Sequence, residues 1–187
     1  MIEVPRRIEG RRCALRPLTD ADLPAYVKAF ADDPELTVKI GIESAPDEER
    51  LAKRPQMLAE AAREGEFVEL VIADCDDDRM LGVVTLHSFG WRHQRTEVGF
   101  WLLPAERGAG VGTEAVTLCV DWAFKGLGMH RVEMTTLPTL APVLAIAKRL
   151  GFRQEGVMRE RDLERGERLD VVMLAVLRDE WACPPNQ

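Results

Sequence analysis

Three glycines stand close together in the segment Arg107–Thr113, which reads Arg-Gly-Ala-Gly-Val-Gly-Thr. Glycine has no Cβ, so successive backbone N–H groups can turn toward one point there and an anion can approach closely. The segment also leads into a predicted helix, whose first N–H groups have no partner within the helix. Residue types and spacing together predict a loop that binds a phosphate group.

Three interpretations of this loop compete. A glycine-rich connection without a ligand is the simplest of them. A Walker A loop is excluded because no Lys-Ser/Thr pair follows the glycines. A dinucleotide-binding fingerprint stays open, since Gly110-x-Gly112-x-x-Ala115 fits its relaxed form and Glu133 lies roughly twenty residues further on. That fold needs more strand–helix repeats than the residues after Glu133 can supply.

A predicted strand, Arg95–Leu103, and a predicted amphipathic helix, Thr113–Leu127, flank the loop. The period of two along a strand separates its side chains onto two faces. One face of Arg95–Leu103 carries Val98, Phe100 and Leu102, and the other carries Glu97, Gly99 and Trp101.

The rest of the chain divides into further strands and helices. Strands are predicted at Arg11–Arg16, Phe67–Ala73, Met80–Ser88, His130–Thr136, Phe152–Met158 and Leu169–Leu177. Helical periodicity fills about 21–62, where Pro34, Pro46 and Pro55 should break it, and a short helix is predicted at Pro142–Leu150. The central strand–helix–strand unit requires a parallel pair, whereas the hairpin-spaced strands before it should be antiparallel. We therefore expect a mixed α/β sheet in a single domain over residues 1–187.

Composition narrows the classes of partner. The net charge of −7 argues against binding along a nucleic-acid backbone and mildly favours a cationic partner such as an amine. No apolar stretch approaches the roughly 20 residues that span a bilayer, and the first residues lack a secretory h-region, so we expect a cytoplasmic protein with no membrane partner. The four cysteines (Cys13, Cys75, Cys119 and Cys183) and three histidines show no metal-ligand spacing, so no metal is expected.

Several segments resemble one known family in the order that family has them. Arg107-x-x-Gly110-x-Gly112 resembles the Arg/Gln-x-x-Gly-x-Gly/Ala signature of the GNAT superfamily of acetyl-CoA-dependent N-acetyltransferases. "RCALRPLTDADLPA" is similar to the family's opening strand and helix, and "TEVGFWLLPAERGAGVGTEAV" to its fourth strand and pyrophosphate loop. "RLGFRQEGVMRE" and "LDVVMLAVLRDEW" resemble the RimJ/RimL-like branch, the ribosomal-protein N-terminal acetyltransferases. The resemblance spans nearly the whole chain.

The resemblance implies a mostly antiparallel sheet in which two parallel strands splay apart into a V-shaped acyl-CoA groove. Backbone groups of Phe100, Trp101, Leu102 and Leu103 would hold the pantetheine arm and the thioester. Arg107 and the amides of Gly108, Ala109, Gly110, Val111, Gly112 and Thr113 would hold the pyrophosphate. Acetyl-CoA would be the co-substrate, an amine of a peptide or small molecule would be the acceptor, and homodimers are frequent in the family.

Three carboxylates are candidates for the base that takes a proton from the amine. Glu97 leads, because it lies beside Gly99 on its strand and matches a glutamate that some family members use. Its alternative role is a surface or salt-bridged carboxylate. Asp162 and Glu155, between the last two predicted strands, are secondary candidates, and Glu155 is equally consistent with a structural role.

The chain departs from the family pattern at the residues that assist the leaving thiolate. Counting back from Leu150-Gly151-Phe152, the family's Asn and Ser positions hold Leu140 and Val143, which cannot donate hydrogen bonds. The only tyrosine is Tyr26, so proton donation would fall to water, Thr136 or Thr139. A cysteine nucleophile is disfavoured because Cys119 is on the buried side of its predicted helix.

The function therefore has a main hypothesis and an alternative. The main hypothesis is acetyl transfer from acetyl-CoA to a primary amine by direct attack; the alternative is a non-catalytic CoA-binding sensor of the same fold. In this fold the acceptor pocket would be shaped by Pro34–Arg63 and by a loop with Trp91 and His93. Whether the acceptor is a protein N-terminal α-amine or a small amine is left open.

Overall fold

A computed structural model describes residues 1–181 of the chain, and Cys183 lies outside the described residues. The strands are β1 (Ile8–Glu9), β2 (Cys13–Arg16), β3 (Val68–Asp74), β4 (Met80–Gly90), β5 (Arg95–Leu102), β6 (Arg131–Thr136), β7 (Arg153–Glu164) and β8 (Glu167–Leu177). The helices are α1 (Leu23–Asp32), α2 (Leu36–Ile40), α3 (Glu48–Glu64), α4 (Val111–Lys125) and α5 (Ala141–Arg149).

The eight strands form one sheet in the order β1-β2-β3-β4-β5-β6-β8-β7. Every neighbouring pair is antiparallel except β5 and β6, which are parallel and are connected through α4. The mixed, mostly antiparallel sheet with a central parallel unit is confirmed.

The parallel pair is short. β5 and β6 are in register only at Arg95–Arg131, Thr96–Val132 and Glu97–Glu133. Beyond Glu97, β5 continues to Leu102 along β4 alone, while β6 continues to Thr136 along β8. The two strands therefore separate toward their carboxyl ends, which is the expected V-shaped groove.

Each face of the sheet packs against its own set of helices. Helices α4 and α5 cover one face, where Val98 and Leu102 of β5 belong to the larger apolar core. Helices α1–α3 cover the other face, where Trp101 packs against Tyr26 at a ring-centroid distance of 5.3 Å. The predicted division of β5 into two faces is thus confirmed, and Glu97 faces the side of α1–α3.

Prolines shape the first helical region in two ways. Pro34 and Pro46 lie between helices, as predicted, but Pro55 lies inside α3, so the prediction of a break there is wrong. Proline removes one hydrogen bond from a helix interior. The helix continues because Leu51 on one side of Pro55 and Ala62 on the other are buried against the sheet, which holds both halves in place.

Candidate functional site

The glycine loop turns its backbone toward the start of α4. Gly108 and Gly110 have φ of +87° and +86°, left-handed values that favour glycine. Among the residues that the structure describes, no carbonyl or side chain accepts a hydrogen bond from the amides of Gly108, Ala109 or Gly110. The next three amides, Val111–Thr113, begin α4 and have no carbonyl to bond within it. Six consecutive donors are thus available to an anion.

Gly112 also has a role in packing. A Cβ on Gly112 would stand 3.2 Å from the Phe100 ring and 3.4 Å from the side chains of Leu102 and Ile146. Its lack of a side chain therefore lets the first turn of α4 approach β5 closely. The helix dipole and the unpaired amides consequently lie directly at the mouth of the groove.

Arg107 follows the short turn Pro104–Glu106 after β5, and its side chain is held by two acceptors. Its guanidinium donates to the Leu102 carbonyl oxygen at 3.0 Å and to the Asp33 carboxylate at 2.6 Å. Lys39 also donates to Asp33, at 2.8 Å. The loop that offers the amides is thereby tied to the α1–α2 connection, and Arg107 stays partly exposed.

The register decides which backbone groups of β5 face the groove. The Leu103 amide donates to the Leu81 carbonyl oxygen in β4 at 2.9 Å. Because alternate residues of a strand turn their N–H and C=O groups to opposite sides, Trp101 also faces β4, whereas Phe100 and Leu102 face the split. Of the four residues expected to pair with a pantetheine arm, Phe100 and Leu102 therefore face the split, and the Leu102 carbonyl oxygen already accepts from Arg107.

A cavity of about 550 Å³ fills the split and continues beneath the helices of the first half. The groups in its lining that bear on the chemistry are Glu97, His87, Thr136, Asp162, Leu140 and Val143. Part of Pro34–Arg63 also lines it, including Lys39, Arg50 and Arg54, whereas Trp91 and His93 lie elsewhere. The expectation for the first segment thus matches the lining, and the expectation for Trp91 and His93 does not.

Glu97 occupies the apex of the V, where the strand pairing ends. Only 8% of the residue is exposed. The Thr135 hydroxyl of β6 donates to its Oε1 atom, which ties the carboxylate to the opposite strand. Within residues 1–181 the Oε2 atom of Glu97 accepts no hydrogen bond, and the residue lines the cavity.

The secondary carboxylates lie in different places. Asp162 lines the cavity and is half-buried. Glu155 is exposed on β7, where Arg131 donates to both of its oxygens, at 2.7 Å for Oε1. Those hydrogen bonds lower the pKa of Glu155, which makes it a poorer proton acceptor. Its surroundings fit the structural role.

Two polar groups on the α1–α3 face escaped the sequence analysis. Glu69 of β3 is buried and accepts from Arg54 at 2.8 Å, while Tyr26 donates to it at 3.4 Å. His87 of β4 lies directly across from Glu97 in the register. Only the strand register shows that Glu69 lies opposite Thr85 of β4 and that His87 lies opposite Glu97 of β5.

The residues that could assist a leaving thiolate are few. Leu140 and Val143 line the cavity as apolar groups, and the buried Thr136 lines it with a hydroxyl, whereas Thr139 does not line it. Burial raises the pKa of Cys119, and the pKa of Cys13 rises to about 12 for the same main reason. Neither thiol is therefore a candidate nucleophile.

The part of the chain that the structure describes shows neither a metal cluster nor a membrane-spanning helix. Residues 1–181 contain no group of three or more His, Cys, Asp or Glu side chains suited to holding a metal ion. None of the helices in this range combines the length and apolar character that crossing a membrane requires. The arrangement instead joins an anion-binding loop, a split sheet and a carboxylate at the apex. It can bind a diphosphate-bearing ligand in extended form and accept a proton at its inner end.

Known proteins share both the sequence pattern and the architecture. The family model of the acetyltransferase (GNAT) domain matches residues 12–153. The uncharacterized N-acetyltransferase p20 of Bacillus licheniformis is 27% identical over 165 residues, which cover 88% of this chain and 91% of that protein. The spermidine N(1)-acetyltransferase of Escherichia coli strain K12 is 22% identical over 110 residues, 59% of each chain.

Solved structures share the fold of this chain. RimL, a ribosomal L7/L12 alpha-N-protein acetyltransferase in complex with coenzyme A, superposes with a TM-score of 0.83 at 18% identity, covering 93% of this chain and 99% of that one. RimJ of Mycobacterium smegmatis, in complex with CoA-disulfide, gives 0.78 at 24% identity, covering 90% and 83%. At these sequence identities the likeness to the solved structures concerns the fold alone. The family model, in contrast, matches most of the chain. The chain therefore belongs to the GNAT family and is an acetyltransferase.

Proposed function

We propose that this protein transfers an acetyl group from acetyl-CoA to a primary amine by direct attack, with Glu97 accepting a proton on the amine side. The observation that carries the proposal is the separation of β5 from β6 directly beside six available amides. A thioester supplies an acetyl group that an amine can attack once it is neutral. The protein must bind the carrier, place the amine and remove protons.

The carrier's diphosphate fits the amides of Gly108–Thr113, with Arg107 as the cationic side chain. Arg107 would exchange its contact with Asp33 for one with phosphate, while Lys39 stays to balance the Asp33 charge. The cleft-facing N–H and C=O groups of Phe100 and the N–H group of Leu102 suit the amides of a pantetheine arm, which would pair with β5 as an added strand does.

Glu97 fits the proton acceptor because it lies at the apex, where the arm would end, and because Thr135 fixes one of its oxygens. Asp162 is a second carboxylate in the same lining and would favour an ammonium group nearby. Thr136 is the hydroxyl that lines the cavity on the β6 side, so we propose Thr136 or water as proton donor to the departing thiolate.

The charges around the cavity favour a peptide or amino-acid α-amine over a polyamine. A polyamine carries several cations and needs several uncompensated carboxylates. In this cavity Glu69 is neutralised by Arg54, and Arg50 adds a further cation to the lining. RimL acts on a protein α-amine by its name, whereas the E. coli relative acts on spermidine. The lining supports the first type of acceptor.

The test is release of the CoA thiol from acetyl-CoA with a panel of peptides, amino acids, spermidine and aminoglycosides. Peptides or amino acids should release thiol above hydrolysis, and Glu97→Gln should reduce that rate by about 10²-fold or more while CoA still binds. Glu60→Gln, on the exposed side of α3, is the matched control and should keep the rate. If CoA raises the melting temperature but no amine releases thiol, the non-catalytic CoA-binding alternative is favoured instead.

A further inference from the structure

Phe67, His87 and Glu97 form a row of side chains that crosses the sheet at the apex. His87 is the direct register partner of Glu97, and both residues line the cavity. On its other side the imidazole stacks on the Phe67 ring, at 6.3 Å between ring centroids and 17° between planes. The ring is therefore held between an aromatic surface and a carboxylate.

A β-bulge sets the direction of this imidazole. The register between β4 and β5 shifts between His87 and Gly90, and Ser88 within the shift has a left-handed φ of +54°. The Thr96 hydroxyl donates to the His87 carbonyl oxygen at 2.9 Å, which fixes the bulge on the β5 side. Bulges of this kind re-aim a side chain, and non-glycine residues at positive φ concentrate at functional sites.

The two ring nitrogens have different surroundings. Nδ1 lies 3.0 Å from the Ser88 hydroxyl oxygen, whereas Nε2 has no hydrogen-bond partner among residues 1–181. A Cβ on Gly99 would stand 3.6 Å from this Nε2 atom. The space that Gly99 leaves open beside Glu97 is thus the space that Nε2 faces. When Nδ1 carries the hydrogen and donates it to Ser88, Nε2 offers a lone pair to that space.

The charged groups that face His87 act in opposite directions. Burial lowers the pKa of His87 below its ordinary value, Glu97 on β5 opposes this, and Arg161 on β7 adds to it. Asp162, next to Arg161, shares the cavity lining. The lowered pKa leaves the imidazole uncharged near neutral pH, which is the form that accepts a proton.

Two protons leave the amine nitrogen during acetyl transfer, so two different side chains can take part as proton acceptors. The acceptor enters as R–NH3⁺ and leaves as R–NH–CO–CH3, so its nitrogen loses two protons while a C–N bond forms and the C–S bond breaks. The first proton must leave before the nitrogen lone pair can attack the carbonyl carbon. The second leaves once the C–N bond exists. One of the two ends on the departing sulfur and the other in solvent.

We propose that His87 is a catalytic residue whose Nε2 takes the first proton from the acceptor ammonium, with the Glu97 carboxylate balancing the imidazolium charge. Glu97 then remains the acceptor for the second proton. This inference rests on the acetyl transfer proposed above and divides the two proton transfers between adjacent strands.

The test follows kcat/KM for thiol release against pH in the intact protein. His87→Gln should reduce kcat/KM about 10²-fold near neutral pH and remove the acidic limb of the profile, while CoA affinity and melting temperature stay close to the original. His93→Gln, an exposed histidine outside the cavity, is the matched control and should change nothing. Added imidazole should restore part of the rate in His87→Ala.

The acidic limb should also move in opposite directions in two further variants. Glu97→Gln should shift it to lower pH, because the carboxylate that raises the His87 pKa is gone, and Arg161→Gln should shift it to higher pH. An NMR titration of His87 should show the same two shifts. Thiol release by the original chain combined with an unchanged acidic limb in His87→Gln would overturn the inference and leave the acetyl transfer standing. Absence of thiol release with every amine would overturn the proposed function itself.

Discussion

Arg107 donates a hydrogen bond of 2.6 Å to Asp33, a carboxylate that is only 8% exposed and lies 74 residues away in the chain. The same carboxylate also accepts from Lys39. One anion thereby joins the arginine of the glycine loop to the helices that border the acceptor end of the cavity. A diphosphate in the loop would compete with Asp33 for Arg107, so the two ends of the site are electrostatically connected.

Arg107→Gln should weaken CoA binding by about 10- to 100-fold, which corresponds to the loss of one charge-assisted hydrogen bond of roughly 1.5–3 kcal/mol. Asp33→Asn should have the opposite sign, because it frees Arg107 for phosphate. Isothermal titration calorimetry with CoA measures both variants. Equal weakening in the two would mean that Asp33 positions Arg107 for phosphate rather than competing with it.

Asp33 should also make stability depend on pH. Burial by itself would raise its pKa, but the hydrogen bonds from Lys39 and Arg107 outweigh burial, and the pKa of Asp33 is lowered. A carboxyl whose pKa is lower in the folded chain stabilises the fold above its unfolded pKa, about 3.9, and loses that contribution as pH falls through the folded value. In urea unfolding, Asp33→Asn should therefore be less stable than the original chain near neutral pH. The difference in the free energy of unfolding should become smaller as the pH falls. A constant gap at all pH values would contradict this assignment.

The parts of the site that the sequence predicts are those set by neighbours along the chain. The glycine loop, the two faces of β5 and the helix that follows all depend on local patterns, and each was found where expected. Contacts between distant segments carry no such signal. The partner of Arg107, the ion pair of Glu155 with Arg131, and the position of His87 opposite Glu97 all depend on strand register or helix docking. The predicted break at Pro55 is wrong for the same reason, because the buried contacts that hold α3 together are made with distant parts of the chain.

Glu155→Gln should leave acetyl transfer unchanged, because Glu155 is exposed on β7 and occupied by Arg131. The exposed pair should contribute less than about 1 kcal/mol to stability. Because the pKa of Glu155 is lowered in the folded chain, this contribution is present above the ordinary glutamate value of about 4.3, so Glu155→Gln should be slightly less stable near neutral pH and the difference should disappear in acid. The thiol-release assay measures the first expectation and urea unfolding the second. A rate loss as large as that of Glu97→Gln would restore Glu155 as a base.

Removing Arg54 from its ion pair with Glu69 should destabilise the fold more than removing Glu69. The Glu69 side chain is 2% exposed and that of Arg54 is 28% exposed, so a stranded arginine can reach water more readily than a stranded carboxylate. Arg54→Met should therefore cost about 3–5 kcal/mol, and Glu69→Gln clearly less. Denaturant midpoints at neutral pH give the comparison. Equal costs would indicate that Arg54 gains little from solvent.

Gly112 and Gly108 offer a contrast between packing and backbone strain within one loop. A side chain at Gly112 would press on Phe100, Leu102 and Ile146, so Gly112→Val must push α4 away from β5, at a cost of about 1–3 kcal/mol. A Cβ at Gly108 meets nothing within 4 Å, and its positive φ alone should cost about 1–2 kcal/mol in Gly108→Ala.

Gly112→Val and Gly108→Ala should differ more in their CoA affinity than in their stability. In Gly112→Val the first turn of α4 and its amides move away from the end of β5, so CoA affinity should fall well beyond what partial unfolding explains. In Gly108→Ala the helix stays in place, and the loss of affinity should be smaller. Calorimetric CoA titrations at a temperature where both variants are folded decide the matter. Equal affinity losses would show that the site depends on the loop backbone alone and not on the contact of α4 with β5.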